Sequence, residues 1–257
     1  MTGMERILGI VAKLEQRPNV YSKNHLVRYA QTLEAIDTNL IARGAALEIG
    51  YTSLFQFALS RQLGFRRVFG TDINLNVGNV EMRRQAIEDG LATEIIKLNI
   101  EHDVFPLADE SLDFILCCEV IEHMEVDPMF PMMEFNRMLK KGGYIFMSTP
   151  NSTSYAMVAK VINGFRPHFY MQYRRDRGLY RHNFEHDRHS LSGLTKAAGF
   201  ETVELKAVDV FKPPHPEGVS YCERLGLSKE FRGDCLFYLG RKVSGVIERY
   251  PREIYVP

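Results

Sequence analysis

The chain contains 257 residues, with 32 basic and 32 acidic side chains and therefore no formal net charge. A chain of this length buries one substantial core, so we expect one α/β domain with an appendage. A balanced charge gives no overall field to attract a polyanion or an anionic membrane, which argues against nucleic acid as a partner.

No segment of the sequence resembles a membrane anchor or a secretory signal. The apolar run at residues 7–12 is followed by Lys13 and is too short for either. Of the four cysteines, two are adjacent in a strand-like run and two are isolated, which gives no disulfide framework and no metal-finger spacing. These features predict a cytoplasmic protein without a membrane span.

The chain has two regions with different hydrophobic patterns. Residues 1–43 are predicted to form an N-terminal helical cap, because apolar residues recur there at steps of three and four. Over residues 44–257, short apolar runs alternate with helical stretches. The predicted strands cover residues 45–50, 67–73, 94–99, 112–119, 144–150, 201–208 and 234–243. The predicted helices between them cover residues 53–63, 77–88, 128–141 and 190–198.

This alternation indicates the fold class. Strands that are apolar almost throughout, separated by helices, are typical of a parallel sheet covered on both faces. We therefore predict an α/β protein with a doubly wound, mostly parallel sheet of seven strands. The alternation lapses after the fifth strand, so residues 164–189 are interpreted as an insertion rich in arginine and aromatic residues. Residues 244–257 are predicted to be a tail packed on the surface or on a partner.

Ligands of open parallel sheets bind outside the carboxyl ends of the strands. The predicted strands end at Glu48 and Gly50, at Asp72, at Asn99 and at Glu119. A carboxylate such as Asp72 accepts hydrogen bonds from both hydroxyls of a ribose and disfavours a 2′-phosphate. The sequence therefore predicts an adenosine-containing ligand at this edge of the sheet.

Four stretches of the sequence resemble motifs of class I S-adenosylmethionine-dependent methyltransferases, in the order that this family has them. They are ALEIGYTSLFQFAL, GTDIN, NIEHDVFPLADESLDFILCCEVIEHM and MLKKGGYIFMSTPN, within residues 45–208. The similarity is greatest to the branch that acts on small molecules and sugars. It implies a Rossmann-like enzyme domain over residues 44–257 that uses S-adenosyl-L-methionine.

The resemblance also implies site residues. Asp72 corresponds to the acidic ribose ligand, Asn99 to the partner of the adenine amino group, and Ile100 to the residue that covers the base. Glu48 and Gly50 shape the turn beneath the methionine part, and Glu119 borders the methyl-donor end. The full set of expected cofactor-binding residues is Glu48, Gly50, Tyr51, Thr52, Asp72, Ile73, Asn99, Ile100 and Glu119.

The first motif departs from the family pattern. Family members have further glycines after Gly50, where this chain has the sequence Tyr-Thr-Ser-Leu at residues 51–54. The hydroxyls of Thr52 and Ser53 are candidates to replace lost backbone contacts and to cap the following helix. The alternative is that these side chains fill the cofactor pocket.

The sequence EVIEH places Glu119, Glu122 and His123 on one side of a helical turn. Three uses are open: His123 as a general base oriented by Glu122, a divalent cation held by both carboxylates and the imidazole, or a structural turn. The motif is similar to the Glu-x-x-Glu-His of ubiquinone-biosynthesis O-methyltransferases and of small-RNA 2′-O-methyltransferases, which use a divalent ion such as Mg²⁺. The RNA enzymes have a further histidine in a segment that resembles His182 and its neighbours. Expected catalytic residues are thus His123, Glu122 and His182, and expected metal ligands are Glu119, Glu122, His123 and His182.

The arginine and aromatic insertion has three interpretations. It can clamp a phosphate or a sugar nucleotide, bind single-stranded RNA by stacking and charge, or form a solvated amphipathic lid. Asp176, Glu185 and Asp187 dilute its positive charge, which argues against a long polyanion.

The leading hypothesis for function is O-methylation of a hydroxyl on a small molecule, a sugar or a glycan precursor, with or without a phosphate group. The alternatives are a metal-assisted RNA ribose 2′-O-methyltransferase and a non-catalytic binding protein with the methyltransferase fold. An N-acceptor is less favoured, because Glu119 to Glu122 stand where amine-modifying enzymes of nucleic acids often have a proline-tyrosine motif.

Overall fold

The computed structural model describes residues 2–14, 20–73, 82–87, 91–169 and 181–256. The strands are β1 (Ala45–Ile49), β2 (Arg67–Asp72), β3 (Met82–Ile87), β4 (Leu91–Lys97), β5 (Leu112–Cys118), β6 (Leu139–Pro150), β7 (Phe200–Val208) and β8 (Cys235–Lys242). The helices are α1 (Gly3–Leu14), α2 (Val20–Ile36), α3 (Ser53–Phe57, continued as a π-helical turn to Gln62), α4 (Met129–Met138), α5 (Tyr155–Ile162), α6 (Arg188–Ala197) and α7 (Pro216–Arg224).

The described strands form one sheet in the order β3-β4-β2-β1-β5-β6-β8-β7. Strands β4, β2, β1, β5 and β6 run parallel, whereas β3, β8 and β7 pair antiparallel with their neighbours. The predicted α/β, Rossmann-like architecture with N-terminal helices is confirmed. All seven predicted strands are present, and β3 is an additional strand at the edge.

Apolar clusters pack on both faces of the sheet. Central strands β1 and β5 are buried along almost their whole length, as expected when helices cover a parallel sheet on both sides. One apolar cluster includes residues of α1, α2 and α3, and the other includes residues of α4 and α6. Aromatic contact between Tyr29 and Phe55, with ring centroids 5.0 Å apart, joins α2 to α3. The N-terminal helices therefore pack beside the helix that follows β1.

The predicted helix at residues 77–88 is wrong where the structure can test it. Residues 82–87 form β3, which pairs antiparallel with β4 from Met82 opposite Ile96 to Ile87 opposite Leu91. The rest of the predicted helix lies outside the described residues. The sequence pair Asp89-Gly90, which separates β3 from β4, is typical of a hairpin between two strands.

The predicted helix at residues 128–141 ends three residues early, at Met138. Leu139 is already extended, with ψ of 136°, and begins β6. The buried ammonium group of Lys242 donates to the carbonyl oxygens of Asn136 and Leu139, each at 2.7 Å. A cation at the carbonyl end of α4 fixes the helix terminus there.

The segment after β6 contains a helix that the sequence analysis missed, α5, and a further missed helix, α7, precedes β8. Of the predicted insertion, residues 164–169 and 181–189 are described, and its remaining residues lie outside the described part. The tail packs on the start of α4: Arg249 and Tyr255 both bond to the Asp127 carboxylate. Among the described residues, no helix has both the length and the apolar character needed to cross a bilayer.

Candidate functional site

The turn after β1 is organised by the buried carboxyl group of Glu48. Its Oε1 accepts hydrogen bonds from the backbone and the hydroxyl of Thr52, at 3.0 and 2.7 Å, and its Oε2 accepts one from Gln56 at 2.7 Å. Thr52 is also the N-cap of α3, because its hydroxyl accepts from the Phe55 amide. The capping role predicted for a hydroxyl in this motif is confirmed for Thr52.

The side chains that replace the family's later glycines pack within the protein. The ring of Tyr51 lies against Gly70 on β2, where an added Cβ would come within 3.0 Å of it. Leu54 is buried in the apolar cluster beneath α3. Gly50 keeps the left-handed conformation, with φ of +75°, that glycine adopts most easily. Its amide donates to the Thr71 hydroxyl at 3.2 Å, which ties the turn to β2.

Burial raises the pKa of Glu48 to about 8. The folded protein therefore keeps a proton that the unfolded chain releases, so folding stability falls as pH rises toward 8. His25 and His186 have pKa values lowered to about 4 by burial and act in the opposite direction, but only below their ordinary pKa of 6.5. Between pH 6.5 and 8, the change in stability therefore reports the carboxyl groups whose pKa is raised.

We expect the free energy of unfolding to fall by roughly 1–2 kcal/mol between pH 6.5 and 8 because of Glu48. In Glu48→Gln this part of the decline should be absent. Denaturant unfolding at several pH values measures it, with the exposed Glu201→Gln as a control. Equal slopes for the wild type and Glu48→Gln would contradict a buried, protonated Glu48.

The second and fourth strands bring Asp72 and Asn99 to the same edge as Glu48. Asp72 is half-buried at the end of β2, and Ile73 follows it at the surface. The Asn99 side-chain oxygen accepts from the Glu101 amide at 3.0 Å, and the Asn99 amide donates to Asp103 at 2.7 Å. A carboxamide oxygen has two lone pairs, so Asn99 retains the capacity to accept a second bond. Ile100 is half-buried beside it.

Glu119 stands at the end of β5 in the left-handed region, with φ of +56°, which is uncommon for a residue with a Cβ. Its Oε1 accepts from the hydroxyl of Ser148 at 2.8 Å and from the thiol of Cys235 at 3.4 Å. These bonds join the ends of β5, β6 and β8. Such strain is a feature of functional sites more often than of ordinary loops.

A short 3-10 turn at Ile121–His123 brings three of the four expected metal ligands together. Ligand atoms of Glu122, His123 and His182 all lie within 4.8 Å of one another. Glu119 is outside this group, which we call the Glu-His-His cluster. The rings of His123 and His182 have centroids 5.0 Å apart, and Glu122 Oε1 is 3.8 Å from His123 Nε2.

Glu122 is 1 % exposed, and only one of its two oxygens is hydrogen bonded. Oε2 accepts from the hydroxyl of Thr149 at 3.0 Å, whereas the buried Oε1 has no hydrogen-bond partner. Burial, followed by the charge of Glu119, raises the pKa of Glu122 well above its ordinary value. An unsatisfied buried carboxyl oxygen costs stability, which makes Glu122 Oε1 a candidate ligand atom.

Both histidines are held through Nδ1. His123 Nδ1 lies 2.8 Å from the Arg181 carbonyl oxygen, and His182 Nδ1 lies 2.7 Å from the Glu185 carboxylate. Because each partner only accepts, Nδ1 carries the proton and Nε2 is the basic nitrogen of the neutral ring. Burial lowers the pKa of His123, with a further contribution from His182, so this ring is neutral near pH 7. Imidazole nitrogens and a carboxylate are a donor set suited to a divalent cation.

The chain matches the family model described as "Methyltransferase domain" over residues 22–205. It belongs to this methyltransferase family. The prediction that the chain is a class I, S-adenosylmethionine-dependent methyltransferase is thereby confirmed. A comparison with curated proteins found no match.

Solved structures of methyltransferases share the fold. A candidate histamine N-methyltransferase from Thermotoga maritima is 23% identical, with 92% of this chain and 99% of that one covered and a TM-score of 0.54. A methyltransferase from Archaeoglobus fulgidus is 17% identical, with coverage of 87% and 100% and a TM-score of 0.56. A chain of the complex between the Haloferax volcanii Trm112 methyltransferase activator and a candidate methyltransferase is 14% identical, with coverage of 93% and 98% and a TM-score of 0.56. At these identities the similarity concerns the fold alone.

A buried cation that the sequence analysis missed, Arg28 on α2, lies near the acidic side chains Glu48 and Glu122. Its side chain is 2 % exposed, and its Nε donates to His25 at 3.3 Å. Burial raises the pKa of Glu48, Glu122 and Cys235, and in each case the positive charge of Arg28 acts against that shift. Arg28 therefore lies at the carboxyl edge of the sheet.

Within the described ranges, Arg28 and Lys242 are the lysine and arginine side chains that are buried. Lys242 binds the carbonyl oxygens of Asn136 and Leu139, where α4 ends and β6 begins. This is the amino edge of the parallel strands, opposite the edge near Arg28. No sequence pattern distinguished Arg28, because its helix face also has the polar residues His25 and Thr32, as a solvated face would.

Proposed function

We propose that this methyltransferase transfers a methyl group to a hydroxyl oxygen of a small molecule or a sugar, with or without a phosphate group. We further propose that Glu122, His123 and His182 hold a divalent cation such as Mg²⁺ beside that hydroxyl. The observation that carries both proposals is the convergence of the Glu-His-His cluster at the strand edge where the methyltransferase motifs lie.

We assign the cofactor contacts to side chains at the same edge. Asp72 would accept from the ribose hydroxyls, while Asn99 and the neighbouring Ile100 would bind the adenine. Arg28 would bind the methionine carboxylate, because a guanidinium matches a carboxylate with two parallel hydrogen bonds. The remaining assigned contacts are Glu48, Gly50, Tyr51, Thr52, Ile73 and Glu119.

S-adenosyl-L-methionine, when bound, supplies a methyl group that its sulfonium already activates. The protein's own tasks are to align the acceptor oxygen and to remove its proton. A divalent cation in the Glu-His-His cluster would lower the pKa of the acceptor hydroxyl. Without a cation, His123 Nε2 is the candidate base; the Arg181 carbonyl oxygen would orient its ring through Nδ1, and Glu122 Oε1 lies 3.8 Å from Nε2.

A second candidate function is metal-assisted 2′-O-methylation of RNA. It is favoured by one observation, that His182 adjoins His123 as the similarity to the small-RNA enzymes implies. The balanced net charge argues against it, because RNA binding draws on a basic surface. The small-molecule acceptor is therefore the stronger proposal.

The test is methyl transfer from tritiated S-adenosyl-L-methionine to separate groups of acceptors: phenols and catechols, sugars and sugar phosphates, RNA 3′ ends, and amines. Each group is assayed with Mg²⁺ or Mn²⁺ and with EDTA. We expect labelled product from a small hydroxyl acceptor that EDTA abolishes. Product from amines alone, or undiminished transfer in EDTA, would contradict the proposal, and product from RNA alone would favour the second candidate. Failure of S-adenosylhomocysteine to bind at millimolar concentration in calorimetry would remove the cofactor assignment.

A further inference from the structure

Glu185 is a buried carboxylate that contacts the Glu-His-His cluster from behind. It is 7 % exposed, and its Oε1 accepts the Nδ1 proton of His182 at 2.7 Å. This short contact, between two buried side chains, orients the ring of His182.

The same carboxylate holds the start of the insertion. The Phe169 amide donates to both Glu185 oxygens, at 2.9 and 2.7 Å. His168 Nε2 lies 3.3 Å from the His182 carbonyl oxygen, and Lys160 donates to the His168 carbonyl. A displacement of Glu185 would therefore disturb His182 and the backbone at Phe169 together.

Phe169 also begins a series of ring contacts that leads to α2. Its ring centroid is 5.3 Å from that of Phe211, which is in turn 5.4 Å from that of His25. His25 is bonded to Arg28 on α2. A chain of contacts thus connects the Glu-His-His cluster, through Glu185 and Phe169, to the helix that we assign to the cofactor.

We propose that Glu185 is a positioning residue: it fixes the tautomer and orientation of His182 for the cluster, and it couples occupation of the cluster to the backbone at Phe169. This inference rests on the proposed cation site. Carboxylate groups behind a ligating histidine typically determine cation affinity by 10- to 100-fold. The competing explanation is that Glu185 serves only to anchor the insertion.

The cation experiment compares Mn²⁺ binding by electron paramagnetic resonance in the wild type, in Glu185→Gln and in Glu217→Gln. Glu217 is a matched control, because it is exposed and accepts from Asn163, just before the insertion. We expect Mn²⁺ to bind about 10- to 100-fold more weakly to Glu185→Gln and unchanged to the control. Affinity for S-adenosylhomocysteine should be retained in both variants.

Two measurements on the wild type keep the inference testable if Glu185→Gln fails to fold. Nitrogen-15 shifts of His182 should show a ring protonated at Nδ1. Hydrogen exchange at the Phe169 amide should slow when Mn²⁺ is added. An Nε2-protonated His182, or Mn²⁺ affinity unchanged in Glu185→Gln, would overturn the positioning role. A wild type that shows the Nδ1-protonated ring but binds no Mn²⁺ would overturn the cation site instead, leaving the orientation of His182 by Glu185 supported.

Discussion

Glutamine in place of Glu122 is expected to abolish divalent-cation binding and, at the same time, to stabilise the cation-free protein. The carboxyl group of Glu122 is almost fully buried, with one oxygen bonded to Thr149 and the other unsatisfied. Its raised pKa means that folding must keep or restore a proton, which costs free energy at neutral and alkaline pH. Glutamine removes that cost and can keep the bond with Thr149.

The expected gain in the free energy of unfolding is about 1–3 kcal/mol at pH 8 in EDTA, measured by denaturant unfolding. The expected loss in Mn²⁺ affinity is at least about 100-fold, since outer-shell partners alone contribute 10- to 100-fold. Glu223→Gln, on the surface and paired with Lys229, serves as the control. If Glu122→Gln bound Mn²⁺ normally, or lost stability in EDTA, the buried carboxyl group would have a structural role only.

The cluster is recognisable in the structure because a buried carboxyl oxygen without a hydrogen-bond partner lies beside two imidazole rings. Apolar packing at this turn would cost less free energy. Sequence spacing placed Glu122 and His123 on one turn, and a family resemblance pointed to His182. Their approach depends on the chain returning from the insertion to β5, which no local pattern encodes.

The fold was largely predictable because buried parallel strands have a distinctive composition. Apolar runs gave the seven predicted strands in the correct order, whereas β3 and the helices α5 and α7 were missed. The helix at residues 77–88 was wrong because its sequence is not strongly periodic, and strand pairing decided the outcome at residues 82–87. The end of α4 was misplaced because it depends on Lys242, a residue about a hundred positions away.

The candidate site was predictable only in part, for a related reason. Glu48, Asp72 and Glu119 stand at strand ends, so their position followed from the strands themselves. Arg28 and Glu185 reach the site from the N-terminal helices and from the insertion. Their participation depends on tertiary packing, and in the sequence each resembles an ordinary charged residue of a solvated face.

The second large effect concerns Arg28 and the cofactor. We expect Arg28→Met to weaken S-adenosylhomocysteine binding by about 10- to 100-fold, because a charge-assisted hydrogen bond to a carboxylate contributes roughly 1.5–3 kcal/mol. Methionine has a similar length, and its substitution leaves no unpaired charge on the nearby Glu48, because the raised pKa of Glu48 keeps that group neutral at pH 7. The variant should therefore remain folded in calorimetric titrations.

A comparison of ligands makes this prediction specific to the carboxylate. Decarboxylated S-adenosylhomocysteine keeps the adenosine and the ammonium group, so its affinity should be nearly the same for the wild type and Arg28→Met. Arg6→Met, on α1 and paired with Asp37, is the control and should bind both ligands as the wild type does. An equal loss for both ligands in Arg28→Met would assign Arg28 to the structure of α2. A loss confined to the carboxylate ligand would show that the N-terminal helices complete the cofactor site, because Arg28 lies on α2.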